Sequence, residues 1–325
     1  MGSRGPAIPD IDEPMVVVDL DVDGLDVPAL TTSVVIGVSR AAKPTILAGQ
    51  RVDVALTIVS DAPAPWVGCA NLDQEIERLE GRIRASPIAA VTVVQVLRAG
   101  AGQSVPAGLL IESLAYSMLQ SGPEFQAWLR ARPARPAKAV DEDPVVLGRE
   151  GPVLTITLNR PEVHNAYNAL MRDRLFDALS VATADPTVTE VRWVGTGPSF
   201  CSGGDLAEFG TFPDPATAHL IRTNRSPAYL LSLLADRVKP HLHGFCVGSG
   251  IELPAFARSV TADPSSTFQL PEMAMGLIPG AGGTVSIARR IGPSRTAWLV
   301  LSGQALDTAT ALEWGLVDDV APVRP

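Results

Sequence analysis

The amino-acid sequence predicts an α/β fold, and three observations carry that prediction. In the second half, VLTITL (153–158) is a β-branched run suited to a buried strand, and ALMRDRLFDALSVAT follows with Leu170, Leu175, Leu179 and Val181 at helical spacing. VTEVRWVGTG then reads as a second strand ending in glycine, so the three segments form a βαβ unit with a parallel strand pair and a right-handed crossover. In the first half, VALTIVSDAP (54–63) aligns with PVLTITLNRP (152–161), setting Pro63 against Pro161. Finally, the chain of 325 residues is 46% hydrophobic and 19% charged, which supplies material for a sizeable core.

Taken in order, residues 1–14 read as a loose tail. The first-half unit continues with LDQEIERLEGRIRA (72–85) as a helix and SPIAAVTVVQVL (86–97) as a strand that corresponds to DPTVTEVRWV (185–194). This is a possible partial duplication of the first βαβ unit, although any two βαβ units look alike. GLLIESLAYSML and PEFQAWLRA follow as two further helices. RPARPAKAVDEDPVVLGREG is rich in proline, alanine and charge and reads as a linker. The expected organisation is therefore an N-terminal α/β extension over 1–131, a linker over 132–150, and a second domain over 151–325.

The formal net charge of −9 argues against a nucleic-acid footprint, while leaving room for a local basic patch that meets a phosphate. The three cysteines, Cys69, Cys201 and Cys246, are far apart and form no CxxC pair, so neither a disulfide framework nor a cysteine zinc site is expected. The four histidines have no metal-ligand spacing. MGSRGPAIPDIDEP lacks the apolar stretch of a signal peptide, and Pro6 breaks the myristoylation pattern. No apolar run is long enough to cross a bilayer. A soluble, cytoplasmic protein with no membrane partner is expected.

Three glycine-rich segments then appear in order: FCSGGDLAEF (200–209), HGFCVGSGIELPAFA (243–257) and FQLPEMAMGLIPGAGGT (268–284). Each by itself suits an ordinary strand-to-helix connection. Together with LNRPEVHNAYN (158–168), in this order and at this spacing, they resemble the crotonase superfamily, the enoyl-CoA hydratase/isomerase family, over residues 151–322. The resemblance implies a crotonase-like ββα spiral core following the N-terminal α/β segment. It implies an acyl-CoA thioester substrate, with CoA as part of that substrate, no metal and no other cofactor, and a homo-oligomer.

Chemistry on an acyl thioester passes through an enolate whose oxygen gains charge. Backbone N–H groups on a rigid turn at a helix N-terminus stabilise such an oxygen. By resemblance the two donors are the amides of Gly204 and Ser249. The family usually has glycine at the second position, and the serine hydroxymethyl is expected to crowd or reshape the acyl site. Glu252 follows Ser249 on the first turn of the next helix, and Glu272 lies in LPEMAMG. An isolated early Glu would serve to neutralise a helix N-terminus. With both acids at matching positions, the resemblance implies a general acid/base pair that grips one water. Two carboxylates in one site push their pKa values apart.

The same resemblance assigns CoA and substrate contacts to Ser202, Asp205, Leu206 and Ala207, and more weakly to His164, Asn165 and Ala166, with bracing of the loop an equal reading for Asp205. The glycines of GLIPGAGGT are expected to serve tight loop packing. Arg289, Arg290 and Arg295 are expected on a solvated helix face, with phosphate contact as the alternative. Trp298 and Trp314 are expected in the core. The family normally continues well past GLVDDV as helices that cover the acyl end, so helices within 105–131 are the candidates to cover it here. Arg258 stands where the family commonly has Asp, and Pro254 falls in the first turn after Glu252. The expected reaction is hydration of a 2-enoyl-CoA; the alternatives are double-bond isomerisation, a cofactor-independent oxygenation of an acyl-CoA, or acyl-CoA binding without turnover.

Overall fold

A computed structural model describes residues 13–22, 32–45, 51–132, 143–212 and 214–322. Most of the expected N-terminal tail and residues 133–142 of the expected linker lie outside the described residues.

The first region opens with a sheet of four strands in chain order: β1 (Met15–Asp19), β2 (Val34–Ser39), β3 (Val54–Thr57) and β4 (Trp66–Gly68). All three pairings are parallel. Four helices follow: α1 (Leu72–Ala85), α2 (Pro87–Gly100), α3 (Val105–Gln120) and α4 (Pro123–Ala131). The Asn71 side chain caps α1 by accepting from the Gln74 amide, and the acids Asp73 and Glu75 in its first turn oppose Arg82 and Arg84 in its last, matching the helix dipole. The expected strand over 86–97 is helix α2 instead. Pro87 occupies its first position, where no amide donor is missed, and Ala89, Ala90, Val93, Val94 and Leu97 recur at helical spacing and are buried. Burial of that face overrides the strand preference of the valines. Without the strand, the first half holds no βαβ copy over 54–97, and the duplication is withdrawn.

The second region builds two sheets. The larger contains β5 (Val145–Glu150), β6 (Val153–Leu158), β7 (Glu190–Gly195), β8 (Val238–Leu242), β10 (Thr261–Ala262) and β13 (Asp319–Val320). The smaller contains β9 (Phe245–Val247), β11 (Thr267–Gln269) and β12 (Leu306–Asp307). Between them run α5 (Ala169–Ala184), α6 (Pro215–Asn224), α7 (Pro227–Leu233), α8 (Ser249–Glu252), α9 (Gly283–Ser302) and α10 (Thr308–Trp314). Twice the chain steps from the larger sheet to the smaller and then into a helix: β8, β9, α8 and β10, β11, α9. This is the ββα spiral. The βαβ unit β6–α5–β7 is present and parallel, but Leu170 and Val181 face outward, and Met171, Ala178 and Ala182 join Leu175 and Leu179 in the buried stripe. Residues 145–150, expected as linker, form the edge strand β5, which turns through Gly151 at φ +58° to pair antiparallel with β6.

One hydrophobic core runs through both regions, from Ile36, Leu79 and Val93 to Ile156, Phe268 and Leu301. Helix α9 joins the two. The Ser294 hydroxyl accepts from the Ala55 amide at 3.0 Å, and Arg82 Nε donates to the Leu301 carbonyl at 3.0 Å. Arg295 is buried, donates to the Trp66 and Ala62 carbonyls, and lies 4.6 Å over the Trp314 ring. Arg290 donates to the Leu316 and Ala257 carbonyls and pairs with Asp318, and Arg289 donates to the Gln103 carbonyl. Arg290 and Arg295 therefore make tertiary ties rather than a solvated face, because α9 lies between two layers, while Arg289 is exposed as expected. Trp298 and Trp314 meet edge to face at 5.6 Å.

Candidate active site

A cavity of about 650 Å³ opens where the second region meets α3 and α4. One wall carries Tyr167, the 202–206 loop, Gly248, Ser249, Glu252 and Glu272. The other carries Leu109, Glu112 and Tyr116 of α3 with Phe125, Trp128 and Leu129 of α4. Helices within 105–131 thus cover the site, as expected.

Local pairing explains how two distant glycine turns meet. The Val247 amide donates to the Cys201 carbonyl at 3.0 Å, and Cys201 bridges Cys246 in parallel. Beyond this pairing the turns stay close: a Cβ on Gly203 would lie 3.0 Å from the Val247 carbonyl oxygen, and one on Gly248 3.7 Å from the Gly203 Cα. The Tyr167 amide donates to the Gly203 carbonyl and the Asp205 amide to the Tyr167 carbonyl, an exchange that leaves out the Gly204 N–H. Ser249 is the first residue of α8, so its N–H is one of the donors a helix cannot satisfy internally. Its side chain is in the wall, with the hydroxyl 3.8 Å from Cys201 Sγ.

Gly248 holds φ +51° and ψ −122°, a conformation suited to glycine. A Cβ there would lie 2.7 Å from Glu272 Oε1 and 3.7 Å from Glu252 Oε1, so both carboxylates converge on this one residue. Glu252 is 2% exposed, and its Oε2 accepts the Ala281 amide at 2.7 Å and the Gly283 amide at 2.9 Å. Burial, then the neighbouring Glu272 and Glu112 carboxylates, push its pKa well above the ordinary range, against the two amide donors. Glu272, 8% exposed, opens a 3-10 turn, and its Oε2 is buried without a hydrogen-bond partner. Burial chiefly pushes its pKa up to about 8. The arrangement can hold a proton at neutral pH and exchange it with a polar group placed beside Gly248.

Of the expected CoA contacts, Ser202, Asp205 and Leu206 line the cavity. Asp205 is also a brace: it pairs with the buried Arg160 at 3.0 Å and accepts from the Ala207 amide at 3.0 Å. Ala207, with that amide engaged, does not line the cavity, nor do His164, Asn165 and Ala166. Those three secure the loop behind it. His164 Nδ1 meets the Ser199 hydroxyl at 2.9 Å, Asn165 bonds the backbone of Arg160, Thr196 and Ser199, and the Ala166 carbonyl accepts from Arg160. Arg258 pairs with Asp236 on the surface, and Pro254 starts a 3-10 turn just after α8.

The loop glycines pack as expected: a Cβ on Gly280 would meet the Tyr116 ring at 2.5 Å, and one on Gly283 would meet Glu252 Cγ at 2.7 Å. Glu112 and Arg222 are among the cavity residues not singled out from the sequence. Glu112 is 2% exposed, and Arg222 donates to Ser113, Ser117 and Gln120 while lying 4.8 Å over the Tyr116 ring. The signal for Glu112 was available as one acid in an apolar helix, VPAGLLIESLAYSMLQ, and Glu252 itself stands out in the same way.

Comparison with known proteins agrees with this geometry. The family model described as enoyl-CoA hydratase/isomerase matches residues 148–324. A 2,3-dehydroadipyl-CoA hydratase of Escherichia coli is 33% identical over 181 residues, covering 55% of this chain and 69% of the relative. An enoyl-CoA hydratase structure from Bacillus anthracis superposes with a TM-score of 0.51 at 28% identity, covering 55% of this chain and 70% of that one. One from Mycobacterium smegmatis gives 0.52 at 26% identity, covering 56% and 71%.

Proposed function

Because the chain belongs to the enoyl-CoA hydratase/isomerase family and is an enzyme of that type acting on an acyl-CoA, we propose that it catalyses the reversible addition of water to a 2-enoyl-CoA. The observation that carries this reading is the convergence of Glu252 and Glu272 on Gly248, both buried and both with raised proton affinity. The name of the E. coli relative, a hydratase of an unsaturated acyl-CoA, supports hydration over isomerisation.

In this reading the thioester carbonyl accepts the amides of Gly204 and Ser249, which stabilise the enolate oxygen as negative charge develops there. A water lies between Glu252 Oε1 and Glu272. One carboxylate takes a proton from that water as its oxygen bonds to C3. The electron pair of the double bond shifts toward C2 and the carbonyl, and a proton is delivered to C2 from a carboxyl group. Crowding of like charges in a dry site keeps one proton on the pair at neutral pH, so acid and base are both present. Ser202 and Leu206 lie along the path to the cavity and contact the CoA portion. The steps need no cofactor besides the CoA of the substrate. A homo-oligomer belongs to the same reading, since Leu110, Leu114 and Met118 form an exposed apolar stripe on α3 beside the exposed Leu220 of α6.

The test is loss of the enoyl-thioester absorbance on mixing the protein with crotonyl-CoA. Glu252→Gln and Glu272→Gln should each lower kcat by about 10²- to 10⁴-fold. Retained binding of longer and aromatic enoyl thioesters with no turnover of any would remove the hydratase reading and leave an acyl-CoA-binding role.

A further inference from the structure

Helix α9 begins without a side-chain cap. Its cap residue is Gly282, at φ +109°, and the residues before it, PGA (279–281), offer no side-chain acceptor. Four successive amides at this helix start, 281 to 284, therefore need acceptors from elsewhere. They are taken alternately by two buried carboxylates. Glu252 Oε2 accepts from Ala281 and Gly283, and Glu112 Oε1 accepts from Gly282 at 2.7 Å. Glu112 Oε2 accepts from the Thr284 amide at 2.9 Å and from its hydroxyl at 2.6 Å. The two acids thus grip one turn from opposite sides, α8 on one and α3 on the other. Because Glu252 Oε2 is held by the turn, any shift of the turn rotates Oε1, the oxygen that faces Gly248.

We propose that Glu112 is a positioning residue for Glu252, supplied by a helix outside the family-matched segment, and that it acts by fixing the 281–284 turn on which Glu252 is anchored. The proposal rests on the assignment of Glu252 to the reaction. It explains why the largely apolar helix α3 carries one acid, and the glycines at 280 and 283 leave room for the side chains that pack on the turn. Tyr116 of α3 fills the space beside Gly280, and Glu252 fills the space beside Gly283. Electrostatics adds to the geometry. Glu112 raises the proton affinity of both Glu252 and Glu272, and burial raises its own to about 7 against its three hydrogen bonds. The groups that face it are Arg222 and, through Ser113, His219 from α6, Tyr116 on its own helix, Glu252 from α8 and Glu272 from the 3-10 turn.

The experiment compares the wild type, Glu112→Gln and Thr284→Val by two readouts: hydration kinetics across pH, and infrared titration of the protonated-carboxyl band identified by its loss in Glu252→Gln. Glu112→Gln removes a like charge, so the Glu252 midpoint should move to lower pH. It also loosens the turn, so kcat should fall about 10- to 100-fold with KM nearly unchanged. Thr284→Val, which removes one hydrogen bond to Glu112, should shift both readouts in the same direction by less, and it decides the matter should Glu112→Gln fail to fold. A folded Glu112→Gln with unchanged kcat and an unchanged midpoint would reduce Glu112 to a helix cap and overturn the proposal. If the wild type hydrates no enoyl thioester, the hydratase reading falls separately, and the infrared midpoint alone decides for or against the coupling of Glu112 to Glu252.

Discussion

One wall of the cavity is built from backbone and the other from side chains. The wall inside the family-matched region depends on glycines at 203 and 250, where a Cβ would meet backbone carbonyls, and at 204 and 248, where one would meet the Phe209 ring and the two carboxylates. Apart from Glu112, the wall from α3 and α4 is largely apolar and aromatic, and Phe125 and Trp128 of α4 pack with Phe209 of the family-matched region at ring distances of 5.7–6.3 Å. The two are not independent. A Cβ on Gly204 would meet the Phe209 ring at 2.8 Å, so α4 braces one proposed oxyanion donor through Phe209, while α3 braces Glu252 through the turn at 281–284. The family-matched wall holds the residues proposed to carry the chemistry, and the wall from α3 and α4 packs against both halves of it.

Four substitutions and a pH series would break or sharpen that comparison. The largest effect is expected from Gly250→Ala, because a Cβ there runs into the Cys201 carbonyl oxygen. Helix α8 must then move, taking the Ser249 amide and Glu252 with it, and hydration should fall by about 10²-fold or more. Asp205→Asn leaves Arg160 buried without its partner and should cost about 3–5 kcal/mol in denaturant unfolding. A cost well below that would show that the 202–206 loop is held by its backbone bonds alone. Gly280→Ala strikes the side-chain wall through the Tyr116 ring and should cost about 1–3 kcal/mol. A loss of kcat accompanying it would tie that wall to the chemistry, and full activity would separate the two walls.

The pH series reads the buried acids directly. Burial favours protonated Glu272, so the folded state binds its proton more tightly than the unfolded chain. The associated stability is full below the ordinary carboxylate pKa of about 4.5 and is lost as pH rises through about 8. Thermal unfolding of Glu272→Gln against the wild type should therefore show a difference that grows in favour of the variant across that window. A difference independent of pH would mean the carboxylate is solvated. The smallest effect belongs to Ser249→Gly, which removes a 3.8 Å contact with Cys201 and keeps the amide, so rates should change less than about threefold, as expected for a weak hydrogen bond.

Much of the backbone wall was legible in the sequence. The motifs that carry the family resemblance pointed to Gly204, Ser249, Glu252 and Glu272, and all four line the cavity. His164, Ala166 and Ala207 do not line the cavity and hold the loop from behind, a difference of direction that a linear motif does not record. The side-chain wall was harder to read. Helices α3 and α4 were expected, but α2 was taken for a strand, since AAVTVVQVL has the residues of one and only the partner on its buried face decides otherwise. Arg295 likewise looked solvated until α9 was found to lie between two layers.

By itself, then, the sequence determined the βαβ start of the second region, the glycine turns and the two acids, because each follows from local spacing or from a steric demand of the backbone. Tertiary structure decided which helices close the cavity, which arginines are buried and which acid faces which. Those depend on contacts between segments far apart in the chain. Glu112 and Gly282 are 2.7 Å apart across most of its length, and no local pattern encodes their meeting.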